Sequence, residues 1–421
     1  MSSSRARLDG EASLEELKQL SRTASVSVVG AELAHLRTID PATYLGRGKI
    51  EQLKQILAGA EADGLIVDDE LSPTQQRNLE TEFDAKVLTR SEVILDIFAQ
   101  RAKSSEGKLQ VELAQLKYLL PRLTGHGVML SRLGGGIGTR GPGEQKLEVD
   151  RRRLRERLQR LEGEIERLRS TRATQRKRRV KNHLPSLAII GYTNAGKSTL
   201  LNHLTEADVL VENKLFATLD PTTRSLRLPG GREVVLIDTV GFISKLPPQL
   251  VAAFRATLEE ITFADLLLFL MDAASPRLDR EIAVTQEVIA SLGAAEKPTL
   301  YVFNKIDQIE DRVVLHGRLA RRTPSAAISA LDGEGVREML ELVEQQIATL
   351  GRVVVLELPY DRYDLIALAH KQGRVHGKKY ADQSLWLRLE VTDDLPGPLV
   401  KYERPSSDFL DWTDGDAPEN S

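Results

Sequence analysis

The stretch Gly191-Tyr192-Thr193-Asn194-Ala195-Gly196-Lys197-Ser198 fits the pattern G-x-x-x-x-G-K-[ST] of a phosphate-binding loop. It follows the apolar run 187–190, which predicts a buried strand, and it leads into a helical pattern that begins at Ser198. The unpaired N–H groups and the positive dipole end of a helix N-terminus attract phosphate. This order predicts a nucleoside triphosphate site, with Lys197 on the β- and γ-phosphates and the Ser198 hydroxyl on Mg²⁺.

Three further motifs follow along the chain. The apolar run 234–237 leads into Asp238-Thr239-Val240-Gly241, an Asp-x-x-Gly motif that brings a carboxylate near Mg²⁺ and a glycine N–H near the γ-phosphate. The run 299–303 leads into Asn304-Lys305-Ile306-Asp307, and Asp307 can accept the N1 and N2 protons of guanine. Ile328-Ser329-Ala330-Leu331 has the form of the last guanine loop. Together the four motifs predict a doubly wound GTPase domain over residues 184–351, with its ligand at the carboxyl ends of the strands.

A predicted switch segment lies between the first two motifs and reads Phe216-Ala217-Thr218-Leu219-Asp220-Pro221-Thr222-Thr223. From the residues alone, any of its three threonines can be the one that binds Mg²⁺. After Gly241 the chain has Phe242, where Ras-like enzymes have a glutamine that orients the attacking water. Because a phenyl ring cannot orient water by hydrogen bonding, we expect slow intrinsic hydrolysis that a group supplied in trans completes.

Composition bounds the class of protein. The 421 residues include no cysteine, so neither a disulfide nor a thiolate metal site can form. No apolar stretch approaches the roughly 18 residues of a membrane span, and the start of the chain is polar. We therefore expect a soluble cytoplasmic protein with no membrane span and about three domains.

Residues 1–107 are predicted to form a small α/β domain. Strands are expected at 26–29, 65–67 and 86–88, and helices at 50–60 and 74–83. The turn from Tyr44 to Lys49 is either a second nucleotide-binding loop or a plain strand-to-helix turn.

Residues 108–183 carry coiled-coil spacing in two pieces. The first stripe is Leu109, Leu113, Leu116, Leu120 and Leu123, and the second is Leu154, Leu158, Leu161, Ile165 and Leu168. The glycine-rich stretch 125–143 separates them, which predicts two antiparallel helices with a loop at the tip. The second helix, over about 30 residues, would extend roughly 45 Å.

Arginine is concentrated on this predicted hairpin. The outer face of the second helix is expected to carry Arg151, Arg152, Arg153, Arg155, Arg157 and Arg160. Such a face is either solvated or an RNA contact, and the single sign of charge with arginine's forked geometry favours RNA. The tip loop, with Arg132 and Arg140, is either a connector or a loop that docks on folded RNA, and we favour docking.

Residues 352–421 are predicted to form a second small α/β domain. Strands are expected at 352–358, 374–380 and 385–391, with a helix at 363–372. The tail from about Ser406 is polar and acidic, and we expect it to be disordered. The predicted fold class is therefore α/β: a doubly wound P-loop GTPase domain preceded by a small α/β domain and a helical hairpin, and followed by a small α/β domain.

Four stretches together resemble the HflX family of GTPases over nearly the whole chain: 191–199, 216–222, 238–242 and 138–144. The resemblance implies that Thr218 is the switch threonine on Mg²⁺. It also implies binding to the large ribosomal subunit and its RNA, with a role in splitting stalled ribosomes under stress. Asn194 matches a phosphate-loop asparagine that recruits K⁺ in relatives of this GTPase class.

Two other functions stay open: a GTP-dependent RNA or ribosome assembly factor, and a signalling switch that dimerises through the hairpin. We expect a monomer when the protein is free. The proposed catalytic residues are Lys197, Thr218 and Gly241, and the proposed metal ligands are Ser198 and Thr218. The residues predicted to bind GTP or GDP are 191–199 (ending in Thr199), 216–220, 238–241, Asn304, Lys305, Asp307, Ser329, Ala330 and Leu331.

Overall fold

The computed structural model describes residues 2–34, 36, 38–122, 142–181, 184–205, 216, 223–246, 258, 260–391 and 395–405. Residues 217–222 of the predicted switch segment, the tip arginines Arg132 and Arg140, and the tail from Ser406 lie outside these ranges.

The chain opens with a helix that the sequence analysis did not predict, α1 (Ser2–Thr23). The predicted strand at 26–29 is wrong, because residues 26–34 adopt no regular structure. Val26 and Val29 are exposed, so no neighbouring strand covers their apolar side chains. A pattern of alternating valines therefore formed no sheet, since pairing and burial decide whether a strand forms.

The rest of the N-terminal α/β unit contains the elements predicted at 50–60, 65–67, 74–83 and 86–88, together with a helix at 90–101 that was not predicted. Its elements are α2 (Arg47–Gly59), β1 (Gly64–Val67), α3 (Pro73–Phe83), β2 (Lys86–Thr89) and α4 (Arg90–Arg101). Strands β1 and β2 pair in parallel through the α3 crossover. The turn at Tyr44 leads directly into α2, and Lys49 Nζ donates to Glu32 Oε1 at 2.7 Å. Because its lysine is engaged inside the unit, the structure favours a plain turn over a second nucleotide loop.

Two helices form the predicted hairpin, α5 (Ser105–Arg122) and α6 (Pro142–Lys181). Both apolar stripes meet, since buried Leu113 packs against buried Leu161 and Ile165. The outward position predicted for Arg157 is wrong: its Nε and Nη2 donate to the two carboxylate oxygens of Glu112 on α5, at 2.7 and 2.8 Å. This bidentate pair turns the arginine towards its partner helix and takes it out of the outer face.

The nucleotide domain contains β3 (Ser186–Gly191), α7 (Lys197–Thr205), β4 (Thr223–Arg227), β5 (Glu233–Asp238), β6 (Leu266–Asp272), α8 (Leu278–Ser291), β7 (Thr299–Asn304), α9 (Arg312–Leu319), β8 (Ser325–Ala327) and α10 (Val336–Leu350). Among the described residues the sheet order is β4-β5-β3-β6-β7-β8, with only β4 antiparallel to its neighbour. Strand β3 has β5 on one side and β6 on the other, so the strand order reverses beside the phosphate-binding loop, where doubly wound sheets bind ligands.

The C-terminal unit is an antiparallel sheet of order β10-β11-β9-β12. Its elements are β9 (Arg352–Pro359), α11 (Tyr363–Gln372), β10 (Arg374–Tyr380), β11 (Ser384–Val391), α12 (Gly397–Val400) and β12 (Glu403–Arg404). The last two are short and were not predicted. The α/β fold class is thus confirmed, whereas the domain boundaries stay a prediction. None of the helices in the described ranges is long and apolar enough to cross a membrane.

Candidate GTP site

The phosphate-binding loop follows β3 and leads into α7, and two glycines are required by its geometry. Gly191 has φ +150°, and a Cβ there would lie 2.1 Å from the Leu270 carbonyl oxygen. Gly196 has φ +94°, and a Cβ there would lie 2.2 Å from Asn304 Nδ2. Both positions therefore combine a left-handed backbone with a close neighbour that only glycine tolerates. Asn194, between them, is exposed and also has a positive φ of 62°.

Lys197 is folded back inside this loop. Its Nζ donates to the carbonyl oxygens of Gly191 at 3.0 Å and Tyr192 at 2.7 Å. Burial lowers the pKa of Lys197 to about 8, although the charge of Asp238 opposes that shift. Among the described residues the hydrogen-bond acceptors of this buried ammonium are backbone carbonyls, so a phosphate would restore the charge balance.

The oxygen donors expected for Mg²⁺ lie on neighbouring elements. Asp238 ends β5 and is buried, in register with Ile189 of β3. Thr239 Oγ1 donates to the Ile189 carbonyl oxygen at 2.7 Å, which ties the end of β5 to β3. Ser198 is the second residue of α7. A hydroxyl and a carboxylate are hard oxygen ligands of the kind that Mg²⁺ prefers, and such sites keep water and phosphate as the other ligands.

The Asp-x-x-Gly segment is tied to the phosphate-binding loop by its backbone. Thr193 N–H donates to the Phe242 carbonyl oxygen at 2.7 Å, and Phe242 N–H donates to the Gly191 carbonyl oxygen at 3.1 Å. A Cβ on Gly241 would lie 2.9 Å from Lys197 Nζ and 3.0 Å from Thr193 Cγ2. Gly241 therefore lies against the two parts of the loop that a γ-phosphate has to reach. Val240, before it, is buried.

The guanine motifs converge through Asn304. Its Nδ2 donates to the Ala195 carbonyl oxygen at 2.8 Å, and its Oδ1 accepts from the Ala330 N–H at 2.9 Å. One buried amide thus joins the phosphate-binding loop to the Ser-Ala loop, a dual role that the sequence analysis did not assign. Asp307 is exposed in a short 3₁₀ turn (Ile306–Gln308), as a base-reading carboxylate needs to be.

The residues around Asn304 complete this edge of the sheet. Lys305 has a positive φ of 64°, and its Nζ donates to Asp272 Oδ2 at 2.6 Å. Asp272 ends the apolar strand β6. A carboxylate directly after a buried run was the sequence signal that could have identified Asp272 as part of this site. Ser329 is buried, whereas Leu331 is 74% exposed beside it.

Two predicted site residues turn their side chains away from the phosphate-binding loop. The Tyr192 hydroxyl donates to Glu16 Oε1 of α1 at 2.5 Å and accepts from the Ser244 N–H at 2.7 Å. The Phe216 ring is buried edge-on against Phe98 of α4, with 4.6 Å between ring centroids. Only the backbone of these residues is left to face a nucleotide. The partners Glu16 and Phe98 are far away in the sequence, and no local pattern marks them.

Of the RNA-contact candidates, three lie on described helix. Arg152 and Arg153 are exposed, and Arg151 is half-buried. Arg152 Nε lies 3.8 Å from Glu156 Oε1, one turn along α6, a weak contact between exposed groups.

The fold and the order of its motifs define a P-loop GTPase. Three protein families match parts of the chain, described as GTP-binding GTPase N-terminal over residues 11–99, GTP-binding GTPase Middle Region over 101–179 and 50S ribosome-binding GTPase over 186–305. The chain is 49% identical over 394 residues to the GTPase HflX of Caldanaerobacter subterraneus subsp. tengcongensis, covering 94% of this chain and 91% of that protein.

It is also 39% identical over 397 residues to the GTPase HflX of Escherichia coli, covering 93% of this chain and 91% of that one. A solved structure, a GTP-binding protein from Sulfolobus solfataricus in complex with GDP, is 27% identical over 80% of this chain and 96% of that chain, with a TM-score of 0.44. The chain belongs to the HflX family of GTPases, within the ribosome-binding GTPases.

Proposed function

We propose that this GTPase binds the large ribosomal subunit in its GTP state through the helical hairpin, and that it splits stalled ribosomes into subunits under stress. The observation that carries the proposal is α6, a helix of 40 residues. Such a helix extends about 60 Å, more than packing against the 18 residues of α5 requires. Its exposed Arg152 and Arg153 suit contact with an RNA backbone.

Nucleotide binding is assigned to the predicted residues around the phosphate-binding loop. Lys197 would bind the β- and γ-phosphates, and Asp307 would read guanine through its N1 and N2 protons. Ser198 and Thr218 would hold Mg²⁺, with Asp238 beside them, and the metal would neutralise phosphate charge when bound. The Gly241 N–H would bind the γ-phosphate and report its presence to the rest of the chain.

Hydrolysis is proposed to be slow until the ribosome is bound. The Phe242 ring is buried in the apolar core that the N-terminal helices share with the nucleotide domain, so it offers no group to the attacking water. A group supplied in trans can raise the rate of such enzymes by as much as about 10⁵. Turnover of several GTP per second by the purified protein alone would contradict this part of the proposal.

A K⁺ ion is proposed to assist at Asn194. This residue is exposed in the phosphate-binding loop with a positive φ of 62°, so a cation would have access to it from solvent. A monovalent cation there would neutralise charge between the β- and γ-phosphates. Equal GTPase rates in potassium and sodium buffers of matched ionic strength would remove this part.

The test of ribosome binding compares charge reversal at two places. Arg152→Glu with Arg153→Glu alters the hairpin, whereas Arg321→Glu with Arg337→Glu reverses two exposed arginines of the nucleotide domain as a matched control. We expect large subunits to stimulate the control as they do the parent, and the hairpin variant to bind more weakly with a salt slope smaller by about one per arginine. Equal stimulation of both variants would move the contact away from α6. Binding to free ribosomal RNA alone would favour an assembly factor.

A further inference from the structure

The hydroxyl of Thr193 is a buried polar group in the phosphate-binding loop. Thr193 is the third residue of that loop and is 7% exposed. Its Oγ1 is buried, and none of the described residues forms a hydrogen bond with it. Buried polar side-chain atoms are bonded in the large majority of cases, and an unpaired one is costly in free energy. A hydroxyl of this kind in a ligand-binding loop needs a partner that the ligand can supply.

The neighbouring side chains of the loop are satisfied in other ways. The Tyr192 hydroxyl is hydrogen bonded to Glu16 and Ser244. Asn194 has a positive φ of 62° and is exposed, so water has access to its amide. Of these three consecutive side chains, only that of Thr193 buries a hydrogen-bonding group for which the described chain offers no partner.

The backbone holds Thr193 in place from both sides. Its N–H donates to the Phe242 carbonyl oxygen at 2.7 Å, and the carbonyl oxygen of the same peptide group, that of Tyr192, accepts from Lys197 Nζ at 2.7 Å. Thr193 is therefore fixed between the phosphate-binding lysine and the Asp-x-x-Gly segment. Because threonine is branched at Cβ, its χ1 is restricted as well, so a ligand that bonds to the hydroxyl has little side-chain freedom to remove.

The position of Gly241 shows which end of the loop Thr193 occupies. A Cβ on Gly241 would lie 3.0 Å from Thr193 Cγ2, 3.1 Å from Thr193 Cα and 2.9 Å from Lys197 Nζ. The Thr193 side chain and the Lys197 ammonium thus lie against the same glycine. Lys197 and the Gly241 N–H are the groups proposed above to bind the γ-phosphate. The γ-phosphate, which distinguishes GTP from GDP, is therefore the ligand group that the Thr193 hydroxyl is best placed to meet.

We propose that Thr193 determines specificity for GTP over GDP, because its hydroxyl donates a hydrogen bond to an oxygen of the γ-phosphate. A hydrogen bond to a charged oxygen is stronger than one to a neutral acceptor, and the low dielectric of a buried position strengthens it further. GDP leaves the hydroxyl unpaired. The inference rests on the proposed γ-phosphate contacts of Lys197 and Gly241, and it does not depend on ribosome binding.

A threonine that only fills space makes a different prediction. Valine has the same branched shape and no hydroxyl to leave unpaired, so it would be the better residue for packing alone. Substitution by valine would then leave the affinities for both nucleotides unchanged. The two roles of Thr193 therefore predict different results for the same isosteric substitution.

The experiment measures dissociation constants of the full-length chain for GDP and for a non-hydrolysable GTP analogue, with Mg²⁺ and without ribosomes. Thr193→Val removes the hydroxyl and keeps the branched shape, whereas Thr193→Ser keeps the hydroxyl and removes the methyl group. Thr193→Ala removes both and replaces the valine variant in the comparison if that variant does not fold. Thr285→Val is the matched control, because Thr285 is buried on α8, outside the nucleotide motifs, and its hydroxyl donates to the Glu281 carbonyl oxygen at 2.8 Å.

We expect the ratio of the analogue's dissociation constant to that of GDP to rise about tenfold in Thr193→Val, since a hydrogen bond to a charged group is lost. The ratio should stay within about threefold of the parent in Thr193→Ser, and GDP affinity should stay within about twofold in both variants. The melting temperature of the nucleotide-free Thr193→Val should not fall below that of the parent, because no bonded partner is lost. Thr285→Val should melt lower and keep the ratio of the parent.

An unchanged ratio in Thr193→Val, or the same rise in Thr193→Val and Thr193→Ser, would overturn the inference. Weaker binding of both nucleotides by one common factor would also overturn it, since a loss of packing explains that result. Failure of the parent to bind either nucleotide would instead contradict the proposed GTP site.

Discussion

The lowered pKa of Lys197 predicts that nucleotide affinity depends on pH just above neutrality. Burial holds the pKa at about 8 in the free protein, and a phosphate bound to the ammonium would raise it. Binding therefore takes up a proton above pH 8. The affinity of the free protein for GDP should fall as pH rises through 8, by about fivefold between pH 7.0 and 8.7.

The free energy of unfolding should depend on pH in the opposite direction to the nucleotide affinity. The pKa in the folded protein lies below the ordinary value of 10.5, so the unfolded chain binds more protons between pH 8 and 10.5. The free protein should gain stability from this group as pH rises through that window, and added nucleotide should remove the gain.

Titration calorimetry tests the prediction directly. GDP binding at pH 8.5 in two buffers of different ionisation enthalpy should show uptake of most of a proton, and at pH 6.5 almost none. Lys197→Arg is the control, because a guanidinium stays charged throughout this range and should abolish the pH step. A dissociation constant that is constant from pH 7.0 to 8.7, with no proton uptake, would refute the reasoning.

Three further variants test the site and the packing. Asp307→Asn should weaken GTP binding at least about 10²-fold in a competition assay and favour xanthosine triphosphate, whose C2 carbonyl accepts from an amide; unchanged GTP affinity would contradict the role of Asp307. Phe98→Ala should lower the free energy of unfolding by about 3–5 kcal/mol in denaturant titration, because its ring is buried against Phe216. Glu390→Gln should lower the free energy of unfolding by about 1–3 kcal/mol, because buried Glu390 accepts hydrogen bonds from Arg232 Nη2 at 2.5 Å and His376 Nε2 at 2.7 Å. The control Glu403→Gln changes a half-exposed carboxylate and should lower it by under about 1 kcal/mol in the same titration.

The nucleotide site was predictable because its chemistry is local in sequence. The backbone at position 196 has φ +94°, which favours glycine, and Gly196 with the lysine next to it is visible in the sequence as a motif. The strands around it are continuous apolar runs, since both faces of a parallel sheet are buried. The hairpin was predictable for a similar reason. The apolar residues that pack between its two helices, such as Leu113, Leu161 and Ile165, belong to stripes with coiled-coil spacing within each helix.

Contacts between distant parts of the chain were not predictable in this way. Glu16 meets Tyr192 across 176 residues, and a glutamate on a polar helix carries no sign that it will be buried. Arg157 was expected on the outer face because the arginines were considered as one group, whereas Glu112 draws it inward. The expected strand at 26–29 failed because alternating valines need a neighbouring strand, which only the tertiary fold supplies.

The central claim is that this GTPase acts on the large ribosomal subunit through its hairpin, and co-sedimentation with separated subunits tests it most directly. Parent protein and an Arg132/Arg140 double alanine variant would be mixed with large or small subunits in the presence of GDP or a GTP analogue. The account predicts binding to large subunits that requires the analogue and weakens in the variant. Equal binding in both nucleotide states, or binding to neither subunit, would contradict it.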